Sequence, residues 1–156
     1  MQSSSKGFTL IELMIVLTII LVIAAIAIPN LLRSRMSANE AGAAGGIRTI
    51  STAEASFQAA GIDATSTGIG KYGTLTSLGT GVTPFIDNAL ASGTKQGYVF
   101  QVTPTFEANI VPRYTAIATP AQTASTGIKA YFVDESGVIR FDGAGGTPSS
   151  TSSPLN

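Results

Sequence analysis

From Phe8 to Ile28 the chain is an almost unbroken run of Leu, Ile, Val, Ala and Met, interrupted only by Thr9, Glu12 and Thr18. A bilayer core needs about 20 apolar residues in a helix, so residues 8–28 predict a membrane-spanning helix. Pro29 ends the run, but Ile28 before it is a poor helix cap. A helix that continues with a kink at Pro29 is therefore expected, rather than a new start. Beyond it, Leu32, Met36, Ala43, Ile47, Ile50 and Phe57 recur at helical spacing, which predicts an amphipathic continuation over 29–60. Arg33, Arg35, Glu40, Arg48 and Glu54 fall mostly off that stripe. Gly42, Gly45 and Gly46 interrupt the segment, and each weakens a helix by about 1 kcal/mol relative to Ala. Local weakness is the expectation for all three. Gly61 predicts a left-handed cap, with Ile62 folding back on Phe57.

The pattern then changes. Residues 61–82 are rich in Gly, Thr and Ser and predict an irregular loop with one apolar clip of Tyr72, Leu75 and Leu78. Thr83-Pro84 predicts a helix start for a short helix Pro84–Ala91 ending near Gly93. Alternation at Tyr98, Phe100 and Val102 predicts a strand, as do Tyr114–Ala118, Lys129–Val133 and Val138–Phe141. Asp134-Glu135-Ser136-Gly137 joins the last two as a hairpin loop. The fold class expected is α+β: a long amino-terminal helix, membrane-spanning in its first half and amphipathic in its second, packed on an antiparallel sheet of about four strands. Residues 61–142 form the globular head. Residues 143–156, all Gly, Ala, Thr, Ser, Pro, Leu and Asn, predict a mobile tail. Its Ser/Thr cluster suits either surface solubility or O-linked sugar.

Composition narrows the chemistry. A chain of 156 residues has room for one domain besides the helix. It contains no Cys and no His, which removes the ligands of classical zinc sites and the bases of Ser-His-Asp and Cys-His catalysis. No nucleophile–base pair, phosphate-binding loop or paired catalytic acids stand out. Nine basic residues balance nine acidic ones, so nothing marks a nucleic-acid surface. The aromatics Phe57, Tyr72, Phe85, Tyr98, Phe100, Tyr114, Tyr131, Phe132 and Phe141 are spread along the chain and read as core and strand residues. Asp134, Glu135 and Asp142 border the last hairpin. Calcium asks for six to eight oxygen ligands, and a solvated turn is the simpler reading. No cofactor, metal or enzymatic role is expected.

Glu12 is the formal charge inside the apolar run. Near mid-bilayer a carboxylate costs roughly 2.5–3.5 kcal/mol on insertion scales, and such residues are usually functional. Together with its neighbours it carries a resemblance. Gly7 followed by Phe8-Thr9-Leu10-Ile11-Glu12-Leu13-Met14-Ile15-Val16 resembles the class III signal of type IV pilins and pseudopilins, and the likeness extends through Pro29-Asn30. It implies a leader of residues 1–7 removed by a prepilin peptidase between Gly7 and Phe8, then N-methylation of Phe8. It implies a cytoplasmic amino terminus. Lys6 agrees with this, whereas Arg33 and Arg35 beyond the span weaken the charge argument. It also implies that Glu12 pairs with the Phe8 amine of an adjacent subunit during assembly. Many pilins close a carboxy-terminal loop with a disulfide; here packing or hydrogen bonds must replace it.

The function implied is a structural subunit. Anchored by a single pass in the inner membrane as a precursor, it would polymerise through its apolar helix into an extracellular type IV pilus. Its partners would be further copies of itself in a helical homopolymer, the prepilin peptidase and the inner-membrane assembly machinery, with no nucleic acid. A type II secretion pseudopilin, or a minor pilin acting as a binding module, shares the same start and stays open.

Overall fold

A computed structural model of the chain describes residues 7–62, 70–106 and 111–155. The contacts divide the chain between Arg35 and Met36 into two units, and each is described by itself. Helix α1, Leu10–Ala60, contributes residues to both.

From Leu13 to Ile28 the helix of the first unit is apolar on every side. Leu13, Ile20, Val22 and Ile28 are each more than half exposed. By length and composition the helix is able to cross a membrane. The Thr18 hydroxyl donates to the Met14 carbonyl at 2.8 Å, so this polar group needs no partner outside the helix. Pro29 lies inside α1, and lacking an N–H it gives nothing to the Ala25 carbonyl.

The second unit packs residues 36–60 of α1 on a six-stranded sheet. The strands are β1 (Thr94–Lys95), β2 (Tyr98–Thr105), β3 (Arg113–Pro120), β4 (Ala130–Asp134), β5 (Arg140–Asp142) and β6 (Ser153–Pro154), ordered as in the sequence and antiparallel throughout. The four strands expected are β2 to β5. Two-residue strands β1 and β6 lie outside them, too short to leave an alternating pattern in the sequence. Two short helices precede the sheet: α2, Leu75–Gly79, and α3, Asn88–Ala91.

The core lies between the helix and one sheet face. Ala43, Gly46, Ile47, Ile50, Ala53, Glu54 and Phe57 form the buried helix stripe. The period-2 alternation of the strands supplies Tyr98 and Phe100, then Tyr114, Ala116 and Ala118, then Tyr131 and Val133. Of the expected stripe, Ala43, Ile47, Ile50 and Phe57 are buried, whereas Leu32 is exposed and belongs to the first unit.

Several expectations are corrected. Gly46 does not merely loosen the helix. A Cβ there would stand 2.7 Å from Phe100 Cε1, so the glycine permits close approach of α1 to β2. Gly45 fits the weak-point reading, being exposed with open space around it. Gly61 does cap the helix, with φ +62° and its N–H on the Gln58 carbonyl, but Ile62 is 59% exposed and does not fold back. Phe57 instead meets Phe85 edge-on at 5.8 Å between ring centres.

The helix expected at Pro84–Ala91 begins only at Asn88. Asp87 caps it, its Oδ1 accepting the Leu90 N–H at 2.7 Å. The N–H groups of Phe85 and Ile86 go to the Leu78 carbonyl at the end of α2, so that stretch is committed to a turn. Helix α2, absent from the expectation, is capped by the Thr74 hydroxyl, which accepts the Ser77 N–H at 3.2 Å.

Residues 143–155, expected to be mobile, dock on the sheet. Leu155 N–H reaches the Ile139 carbonyl at 2.8 Å, Arg140 Nη1 donates to the Ser152 carbonyl at 3.0 Å, and Pro148 is fully buried. At the other end of the sheet, Glu40 Oε1 accepts the N–H groups of Ile128 and Lys129, and its Oε2 lies 3.2 Å from Lys129 Nζ. Burial pushes the Glu40 carboxyl up, but these partners outweigh it and hold it below its ordinary range.

Candidate functional site

The start of α1 is built by four residues. Thr9 stands before the first helical residue, Leu10, and its carbonyl accepts the Leu13 N–H at 3.3 Å. Its hydroxyl accepts the Glu12 N–H at 3.3 Å. In return Glu12 Oε2 accepts the Thr9 N–H at 2.9 Å and the Thr9 hydroxyl proton at 2.8 Å. This reciprocal arrangement is a capping box, which satisfies two amides that the helix itself leaves unpaired. A negative charge in the first turn is further favoured by the helix dipole.

Sequence reasoning singled out Glu12 for assembly and took Thr9 only as a residue of the resembling motif, not as the cap that Glu12 bonds. The signal was present, since Thr9-Leu10-Ile11-Glu12 has the Ser/Thr-x-x-Glu spacing of such a box. Glu12 Oε1 takes no bond among the described residues and stays free for another donor. Gly7 and Phe8 precede the helix. Phe8 is 90% exposed, and among the described residues nothing lies within 4 Å of where a Gly7 side chain would begin. Residues 1–6 of the expected leader lie outside the described residues.

The carboxylates around the last hairpin serve local structure. Asp134 Oδ1 accepts the Ser136 N–H at 3.0 Å, Asp142 Oδ1 accepts the Ala144 N–H at 2.7 Å, and Glu135 lies 3.5 Å from Arg113 Nε on the surface. Among the described residues no three acids converge on one point.

If Gly7–Phe8 is the processed bond, Gly7→Glu puts a bulky acid at the cut and leaves the apolar helix intact. We expect this variant to insert in the membrane and to accumulate with its leader attached. Intact-mass measurement of the membrane fraction checks it, and normal maturation would count against the assignment.

The prokaryotic N-terminal methylation motif matches residues 2–28. The chain is 60% identical over 37 residues to the type IV wide pilus major component PilA4 of Thermus thermophilus, which covers 24% of this chain and 28% of that protein. It is 45% identical over 53 residues to the type IV major pilin protein PilA of Myxococcus xanthus, covering 34% of this chain and 24% of the relative. The matches thus span about a quarter of each curated relative's length. No solved structure matches. Through its methylation motif and the start of its apolar first helix, the chain is similar to type IV pilins over its amino-terminal part.

Proposed function

We propose that the chain is the repeating subunit of an extracellular type IV pilus, held in the inner membrane before assembly. The observation that carries this is the exposed apolar length of α1 headed by the capped Glu12. A helix with Ile, Leu and Val on every side must be covered by lipid or by like helices. Both named relatives are major pilus components, which favours the pilus over the pseudopilin and minor-pilin readings.

In this reading a prepilin peptidase cuts after Gly7, and Phe8 becomes an N-methylated amino terminus. Assembly machinery in the inner membrane then adds subunits to the growing filament. Glu12 is satisfied twice within its own chain, which moderates the cost of holding it in lipid. Its free Oε1 then accepts the Phe8 amine of a neighbouring copy. The gain is registry between helices more than raw stability, because both charges leave water to make the pair. Pro29, with one backbone bond missing, lets the helix bend as copies pack.

The test is electron microscopy of filaments sheared from cells, with intact-mass analysis of their subunit. Filaments built of this chain, starting at Phe8 and carrying one N-methyl group, are expected. Filaments lacking the chain, or a surface form starting at Met1, would overturn the reading.

A further inference from the structure

Glu54 is absent from the chemistry above and lies in the core. Its side chain is fully buried on the helix stripe. Oε2 accepts the Gly73 N–H at 2.8 Å, while Oε1, also buried, takes no bond among the described residues. Gly73 belongs to residues 70–74, an extended arm laid along α1 just before α2. The arm touches the helix at two points. A Cβ on Gly70 would collide with the Gln58 carbonyl, and one on Gly73 would meet the Phe57 ring at 3.3 Å. Between them Tyr72 packs on Tyr114 of β3, ring centres 4.6 Å apart, and the Tyr114 hydroxyl donates to Ser51 at 3.2 Å. Glu54 is thus the polar tie in an otherwise apolar contact between arm, helix and sheet.

We propose that Glu54 is a proton-operated latch: as the neutral acid it holds residues 70–74 on α1, and when it loses its proton the arm is released. The reason is the mismatch of its two oxygens. A neutral carboxyl leaves one weak polar group unpaired. A carboxylate in the same place is a buried charge with a single amide donor, and burying such a charge is far costlier.

The surroundings offer the anion nothing more. The titratable groups facing it are Tyr72 on the arm and Tyr114 on β3, both neutral and both pushed up by burial and then by nearby carboxylates. Glu135 bears on Tyr72 and Asp134 on Tyr114, adding further negative charge. Among the described residues no Lys or Arg pairs with Glu54. Burial accordingly raises the Glu54 carboxyl to about 7, against the lowering effect of the Gly73 bond.

The sign follows. With its folded value raised above the ordinary 4.5, the group contributes stability that is fully present below about pH 4.5 and lost as pH rises through 7. Glu40 and Asp87 are lowered instead, so their contributions fade only in acid, below that window. The chain has no His or Cys, so no other side chain has an ordinary value between pH 5 and 8. The inference does not rest on the pilus reading.

The test is a titration of the full chain in detergent micelles, following the Glu54 carboxyl carbon and the Gly73 amide by NMR. Both are expected to move between pH 6 and 8 with one midpoint, and in Glu54→Gln the Gly73 amide should stay still over that range. At pH 8, trypsin should cut after Lys71 in the parent on the order of tenfold to a hundredfold faster than in Glu54→Gln, from the raised carboxyl. A Glu54 midpoint near 4.5, a Gly73 amide that ignores the titration, or equal cutting of the two proteins would overturn the latch. Should Glu54→Gln fail to fold, the parent titration alone decides.

Discussion

Glu12→Ala is expected to reach the membrane at or above parental levels and to lose at least tenfold in surface filament yield. Removing the carboxylate makes the helix cheaper to place in lipid, by at most roughly 2.5–3.5 kcal/mol and less near the interface. Assembly then meets the opposite effect. The Phe8 amine of a neighbouring copy enters an apolar bundle with no carboxylate, and breaking one side of a buried pair costs roughly 3–5 kcal/mol. Glu12→Asp keeps the charge with a shorter reach and should fall between.

The capping box adds a control. Thr9→Val removes the hydroxyl that bonds Glu12 in both directions while leaving the carboxylate, at a cap cost of about 1 kcal/mol. Its yield should stay well above that of Glu12→Ala. The measurement is sheared filament against membrane-pool subunit for the four proteins. Filaments from Glu12→Ala at parental yield would remove Glu12 from assembly. Equal losses in Thr9→Val and Glu12→Ala would make Glu12 a helix cap and nothing more.

Gly46→Leu is expected to destabilise the head by about 3 kcal/mol, the upper end of overpacking costs. The added Cβ would stand 2.7 and 2.8 Å from the Phe100 ring and 3.6 Å from Leu90 Cδ1. Phe100 is itself 2% exposed, so its ring is held in the core against α1. The better helix propensity of Leu returns roughly 1 kcal/mol at most, too little to offset that clash. Gly45→Ala, one residue away and facing open space, should instead stabilise by up to about 1 kcal/mol. Thermal melts of the full-length variants in detergent compare the two. A Gly46→Leu protein as stable as the parent would mean that β2 does not approach α1 there.

What could be read directly follows from the range of the interactions involved. The long helix, its apolar half and its cap at Gly61 are local in sequence, set by side-chain periodicity and by one backbone position that needs positive φ. The same holds for strands β2 to β4 and for the Asp134–Gly137 turn, where Gly137 has φ +71° and its N–H reaches the Asp134 carbonyl. The short helices were harder. Thr83 and Asp87 are both competent caps, and the choice fell to Asp87 because Phe85 and Ile86 spend their amides on Leu78. No local pattern announces that contact. In the candidate site, Glu12 stood out as a charge among apolar residues, whereas its partner Thr9 was hidden by being ordinary.

The sequence by itself determined that one end of this chain is a bilayer-length apolar helix that opens on a methylation motif and carries an acid in its first turn. Those properties reside in consecutive residues and need no fold to exist. Only the tertiary structure decided which acid would be buried. Glu40 and Glu54 look alike as polar interruptions of the same helix, yet one meets two amides and a lysine, and the other meets a single glycine amide inside the core. It also decided that Gly46 is a contact and Gly45 a gap, and that the carboxy-terminal segment docks instead of trailing. Each of these depends on which surface lies opposite, and partners such as Phe100 for Gly46 are far away along the chain.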